Sequence, residues 1–438
     1  MAASEEPSVN PVPAGTEVEG SHDPGHTAEG MSPRIWMVVL IAFVSIFFTI
    51  AWLVAWQVLD GAIWESEVVE GNRWLVPALV ILFSLLVGLC IKHLDAETAI
   101  GGGLAESMRS APEKGEWRRF PGSLLSSFLS LLSGASLGPE GALASLIRGM
   151  SSWFQEKLRL GSQGSLGYSI AALSSAYNGI IGQPLFTAVF ATELGPDKKD
   201  ALASIAWNLL AGVIGFLVFS SLGFASFMGS IPLPAMEGKG LEYVAYAILM
   251  GVLGALIAFY LGSTSMLFGK LMDPFRDKAV FRILAAGAVI AAVAYFLPEL
   301  MFSGEEQIHE IMDDPARYGA GALLLMGLLK MALLSLSLKS GYLGGPIFPV
   351  LFGCTLIGLA LNLAFPGVPV ILTILCLEAA SISLALGAPL SSILLVTLVS
   401  SAGQITPYLV ALIVLATATS MLLGVPLRKL MAGGKAVQ

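Results

Sequence analysis

Seven stretches of this chain stay apolar for about the length of a membrane crossing: 35–59, 74–91, 201–222, 244–268, 281–297, 320–338 and 407–423. Inside a bilayer a backbone N–H or C=O without a partner is costly, so a spanning segment must satisfy its own hydrogen bonds, and apolar runs of this length do so as helices. Composition points the same way. Of the 438 residues, 55% are hydrophobic and 12% are charged, the latter about half the share usual in soluble domains. Mean hydropathy is +0.80. The chain therefore reads as an all-α, polytopic membrane protein, and no nucleic-acid partner is expected.

The first 33 residues differ, with Glu5, Glu6, Glu17, Glu19, Asp23 and Glu29 set among Pro, Gly and Ser. That composition predicts a disordered tail over 1–33, and the tail lacks the basic start and apolar core of a secretory signal. A membrane domain is expected over 34–427 and a short stub over 428–438. Basic residues gather at Arg109, Lys114, Arg118 and Arg119 and again at Lys270, Arg276, Lys278 and Arg282, which assigns those loops to the cytoplasm. The acidic stretch 65–70 is then outside. Cys90, Cys354 and Cys376 lie scattered in apolar sequence and indicate neither a disulfide framework nor a metal site. No cofactor is expected.

Between the long runs lie shorter ones, 124–132, 143–150, 184–191 and 346–364, each broken or bounded by Gly or Pro. Helices that stop at membrane depth are tolerated only where they are buried in protein or line a cavity, and they point to a transporter or channel. One such break, Ser133 to Ala142, carries a carboxylate. Glu140 follows Pro139, and proline favours the first turn of a helix, where its missing N–H costs nothing. A helix start there offers free N–H groups and a positive dipole end among glycines, which makes an anion site. The alternative is that Glu140 only caps those N–H groups.

The chain also repeats itself. Leu129-Ser130-Leu131-Leu132-Ser133-Gly134 recurs as Leu336-Ser337-Leu338-Lys339-Ser340-Gly341, and Gly138-Pro139 recurs as Gly345-Pro346 at the same offset. Gly182-Gln183-Pro184-Leu185 returns as Gly387-Ala388-Pro389-Leu390 at nearly that offset. Order and spacing together indicate duplication, with halves at about 74–222 and 281–424. Broken segments at matching positions of two halves mark a substrate site between them, so the Glu140 and Gly345 stretches should meet. Two helix N-termini facing one point would each contribute about 0.3–1 kcal/mol to anion binding when exposed and up to roughly 2 when partly buried.

These residues resemble the chloride channel (CLC) family over most of the membrane region, on its divergent bacterial branch of ion-transport proteins. Gly138-Pro139-Glu140-Gly141-Ala142 is similar to the family signature Gly-Arg-Glu-Gly-Pro, and Gly345-Pro346-Ile347-Phe348-Pro349 to its second signature, Gly-x-Phe-x-Pro. Tyr177-Asn178 with Pro184, and Ala388-Pro389-Leu390, resemble two further family segments. The resemblance implies two inverted repeats with broken helices, a homodimer in the bacterial inner membrane, and one pathway per subunit for chloride or a similar monovalent anion. It implies that Glu140 is the gate, its carboxylate competing with the anion. The anion would touch Gly102, Gly138, Pro139, Gly141, Ala142, Gly345, Pro346, Ile347, Phe348 and Pro349. Departures are visible: Gly102 stands where the family has a serine, no tyrosine occurs near Pro426, and Leu194 takes the place of the inner proton-handling glutamate.

Proton-coupled exchange is the expected mode and passive conduction the alternative. If protons move, Glu193, next to Leu194, and Glu378, inside an apolar run, are the candidate relay acids. Their competing reading is a helix-end or packing role. Lys330 and Lys339 would attract anions to a vestibule or snorkel to an interface. Gly134-Ala135-Ser136-Leu137-Gly138 matches the nucleophile elbow of serine hydrolases, but it lacks the strand-turn-helix setting and a reachable histidine. An intramembrane hydrolase is a remote alternative, and no enzyme activity is expected.

Overall fold

The computed structural model describes residues 34–98, 104–159, 162–194, 201–224, 233–399 and 405–431; the expected tail and most of the expected stub lie outside them. Helix α1 (Ile35–Trp64) is followed by a short α2 (Glu67–Glu70) and α3 (Leu75–Leu94), α4 (Leu104–Arg109), α5 (Phe120–Leu132), α6 (Pro139–Leu158), α7 (Ser162–Ile181), α8 (Phe186–Leu194) and α9 (Ala201–Ser221). A second series comprises α10 (Leu241–Met272), α11 (Ala279–Phe296), α12 (Glu305–Asp313), α13 (Ala320–Ser340), α14 (Ile347–Ala364), α15 (Val370–Leu386), α16 (Pro389–Val399) and α17 (Pro407–Met431). Among the described residues there is no strand.

Leaving α2 aside, the two series match in order, α1 with α10 and α3 to α9 with α11 to α17. Their packing matches too. Helix α1 lies on α7 and α9 as α10 lies on α15 and α17, and α3 packs on α5 as α11 packs on α13. The pairs α3 with α11 and α8 with α16 join a helix to its own counterpart, as an internal two-fold requires. Glycines at equivalent places end equivalent helices: Gly134 and Gly341 follow α5 and α13 at φ +73° and +102°, and Gly182 and Gly387 follow α7 and α15 at +71° and +72°. Such left-handed helix ends favour glycine, which has no Cβ to clash. The repeat is therefore a repeat of helix stops as well as of letters.

Among the described residues, seven helices are long and apolar enough to cross a membrane, and the protein is a multi-pass membrane protein. One of them, α14, takes in 347–364 of the run 346–364, which the sequence presents among the shorter runs broken or bounded by Gly or Pro. The helix is unbroken because Pro349 falls in its first turn, where an N–H has no intrahelical partner to lose. Likewise 143–150 is part of the longer α6, continued through Arg148, whose guanidinium binds Glu116 at 2.5 Å and the carbonyls of Ser110 and Ala111 at 2.9 and 3.0 Å. Helix α17 runs on to Met431 through Pro426.

Close helix contacts depend on small residues. A Cβ on Gly215 of α9 would run into the backbone of Ser175 on α7, and backbone cannot step aside as a side chain can. Gly215→Val should therefore lower stability by about 1–3 kcal/mol or more, read as reduced detergent-solubilised monodisperse protein and a lower melting temperature. Gly321→Ala, where nothing lies within 4 Å, should behave as wild type.

Candidate anion site

Two loops, one from each half, meet in a single antiparallel bridge between Gly138 and Gly345. The N–H of Gly138 donates to the Gly345 carbonyl at 2.9 Å, and the N–H of Gly345 donates to the Gly138 carbonyl at 2.8 Å. The two glycines are repeat equivalents, so each does to the other what is done to it. Immediately beyond the bridge, α6 begins at Pro139 and α14 at Ile347. Both N-termini thus start beside the same point. A Cβ on Gly141 would strike the Gly344 carbonyl, and one on Gly345 would strike the Glu140 carboxyl group, so the approach is closed to larger residues.

Glu140, second residue of α6, is 1% exposed. Its Oε1 accepts the N–H of Ile347 at 2.5 Å, the first residue of α14 and the repeat equivalent of Glu140 itself. The N–H groups of Phe348 and of Glu140 also face the carboxylate, while Oε2 has no hydrogen-bond partner. Glu140 is therefore a cap, but for the helix of the opposite half. Tyr177 of α7, 1% exposed, donates its hydroxyl to the Glu140 carbonyl and fixes the first turn of α6 from behind. Ile347, Phe348, Pro349 and Ala142 are all buried around this point. N–H groups that hold a carboxylate oxygen can hold a small anion in its place.

A family model described as voltage gated chloride channel matches residues 83–421. The chain belongs to this family. Among the relatives of this chloride channel family member is the H(+)/Cl(-) exchange transporter ClcA of Vibrio cholerae, 25% identical over 301 residues, which are 66% of this chain and 63% of the relative. The chain thus matches less than two thirds of that transporter's length. An ion-transport protein, YfeO, of Escherichia fergusonii is 23% identical over 361 residues, 80% of this chain and 81% of the relative. A slow cyanobacterial Cl-/H+ antiporter superposes with a TM-score of 0.72 at 18% identity, covering 92% of this chain and 99% of its own. A CLC-type fluoride/proton antiporter gives 0.67 at 18%, covering 90% and 94%. Both likenesses show a shared fold.

The remaining candidate residues of this chloride channel family member fall in several places. Gly102 lies outside the described residues. Pro139 opens α6 and Pro346 directly precedes α14; neither has an N–H to offer. Glu193 accepts from the N–H of Leu390 at 2.7 Å, the N–H of Ser391 at 2.9 Å and the Ser391 hydroxyl at 2.6 Å, all in the first turn of α16. Glu378 is wholly buried in α15 and accepts from the Thr355 hydroxyl of α14 at 2.9 Å. Ser136 hydrogen-bonds the Lys330 carbonyl at 3.4 Å.

Lys330 neither lines a vestibule nor snorkels. It is 0% exposed, and its Nζ donates to the carbonyls of Leu300, Met301 and Phe302 at 3.0, 3.0 and 2.6 Å. The ring of Phe352 lies 5.0 Å away. The ammonium thus braces the segment leading to α12 against α13 and α14. A lysine midway along an apolar run is the sequence signal for such a buried role, whereas nothing in the sequence marks Tyr177 as the partner of Glu140.

Because a side chain at Gly345 would occupy the space of the Glu140 carboxyl, Gly345→Val should cut anion flux in reconstituted liposomes by about tenfold or more, each tenfold being 1.4 kcal/mol. Flux at the wild-type level, with unchanged anion affinity, would place the site elsewhere.

Proposed function

We propose that the protein carries chloride or a similar monovalent anion across the membrane in exchange for protons, with Glu140 as the gate. The observation that carries this reading is the Glu140 carboxylate seated on the N–H of Ile347 at the junction of two helix N-termini. An ionisable anion occupies the place a free anion would take. When Glu140 is charged it holds the N–H groups, because hydrogen bonds to a charged group contribute about 1.5–3 kcal/mol against roughly 0.5–1.5 for neutral ones. Protonation removes that advantage, the side chain yields, and an anion replaces it. Proton and anion then alternate at one site, which couples their movements.

The names of the relatives support the reading, since they include an H(+)/Cl(-) exchange transporter and solved antiporters of chloride and of fluoride with protons. The homodimer implied by the resemblance belongs to the same proposal. A second reading, passive conduction, is favoured by one feature: Leu194, at the position matching the family's inner glutamate, cannot carry a proton. Exchange therefore needs another inner acid. Glu193 is partly exposed beside Leu194, and Glu378 is the buried alternative.

Purified protein in liposomes with a chloride gradient should drive protons uphill, recorded as chloride efflux together with external pH. Glu140→Gln should abolish the pH dependence of anion flux and the proton movement, because an amide neither takes up a proton nor bears the charge that competes with the anion. Flux as pH-sensitive as wild type would reject the gate. Glu193→Gln should stop uphill proton movement while chloride still flows. Should Glu193→Gln pump as before, Glu378 or a water chain becomes the better candidate for the inner station.

A further inference from the structure

Glu140 is sealed from water, yet under the function proposed above it must exchange a proton with the outer solution at every turnover. A neighbour has to deliver it. Glu305 opens α12, which packs on α14, the helix whose N-terminus holds Glu140. The preceding Gly304 sits at φ +98°, and a Cβ there would strike the ring of Phe352 on α14, so the segment presses closely on that helix. Glu305 is partly exposed as a residue, but its Oε2 is shut off from solvent and has no hydrogen-bond partner.

The charged groups close enough to act on Glu305 electrostatically are Glu306 beside it, Glu140 from α6 and Asp60 from near the end of α1. Asp60 in turn faces Glu306 and Glu65, and Glu65 begins the acidic stretch assigned to the outside. Lys330 of α13 turns its Nζ to backbone carbonyls. Asp60 Oδ1, Glu305 Oε2 and Glu140 Oε2 are each buried without a hydrogen-bond partner. Three carboxyl oxygens in one electrostatically linked row thus lack donors, which is costly for carboxylates and far less so for carboxylic acids. Among the described residues no three acids, histidines or cysteines are grouped to hold a metal ion.

We propose that Glu305 is an outer proton relay, passing protons between the external solution and Glu140. In the inward direction Glu305 Oε2 gives up its proton and Glu140 Oε2 takes it, which frees Glu140 from the Ile347 N–H. Glu305 is left a carboxylate and regains a proton from outer water by way of Glu306 and Asp60. The reverse transfer empties Glu140. Burial, and then Glu306, Glu140 and Asp60, push the Glu305 carboxyl well above the usual carboxylate range, the direction that favours its acid form.

The test is chloride-driven proton movement by the full-length protein in liposomes, compared among wild type, Glu305→Gln, Glu305→Asp, Glu140→Gln and the double variant Glu305→Gln/Glu140→Gln. Glu305→Gln should slow coupled exchange by about tenfold or more, in the range a positioned proton-transfer group contributes, with recovery at acidic external pH and partial rescue by Glu305→Asp. In the Glu140→Gln background, where no proton is needed, the same substitution should change anion flux by less than about twofold. Equal slowing in both backgrounds would mean that Glu305 only shapes the site and would overturn the relay. So would Glu305→Gln exchanging at the wild-type rate while the wild type couples normally, an outcome that leaves the exchange reading intact. A wild type that moves chloride without protons overturns both.

Discussion

Two helix N-termini held at one buried point create a local excess of positive potential that must be met by an anion, and the Glu140 carboxylate meets it. Much else in the structure serves that meeting. The Gly138 to Gly345 bridge sets the two loops together, the absence of side chains at Gly141 and Gly345 lets backbone approach backbone, and the Tyr177 hydroxyl holds the first turn of α6 in place. The duplicated position on the other half is Ile347, which has no charge of its own. One carboxylate thus serves two equivalent helix ends, and the symmetry of the backbone is broken by a single side chain.

The same logic recurs between α8 and α16. Glu193 lies in the last turn of α8, where a negative charge gains nothing from its own helix dipole, and satisfies first-turn N–H groups of α16 instead. Helices α8 and α16 are repeat equivalents, as are α6 and α14. In both pairs an acid from the first half caps a helix of the second. Caps that cross the two-fold hold the halves together at the places where each half, alone, would leave first-turn N–H groups without side-chain acceptors.

Much of this was legible in the sequence for physical reasons. Pro139 next to Glu140 marks a helix start, the recurring glycines mark helix stops, and a constant offset between Gly138-Pro139 and Gly345-Pro346 announces their meeting. What stayed hidden is what side-chain letters do not encode. The donor to Glu140 is a backbone N–H belonging to an isoleucine, and the partners of Lys330 are three backbone carbonyls. The cap made by Glu193 joins residues far apart in the chain. The run 346–364 misled in the opposite sense, since Gly and Pro read as breaks in a run unless the helix start is already known to lie beside the prolines.

The paired hydrogen bonds between Gly138 and Gly345 have a mechanical side. They tie the two halves at the site by backbone, beside the Glu140 side chain that crosses there as well. Under the function proposed above, a small moving part suffices to let an anion by. A carboxylate swinging about its own torsions is such a part, and side-chain rotations are intrinsically far faster than the microsecond-to-millisecond motions of whole domains.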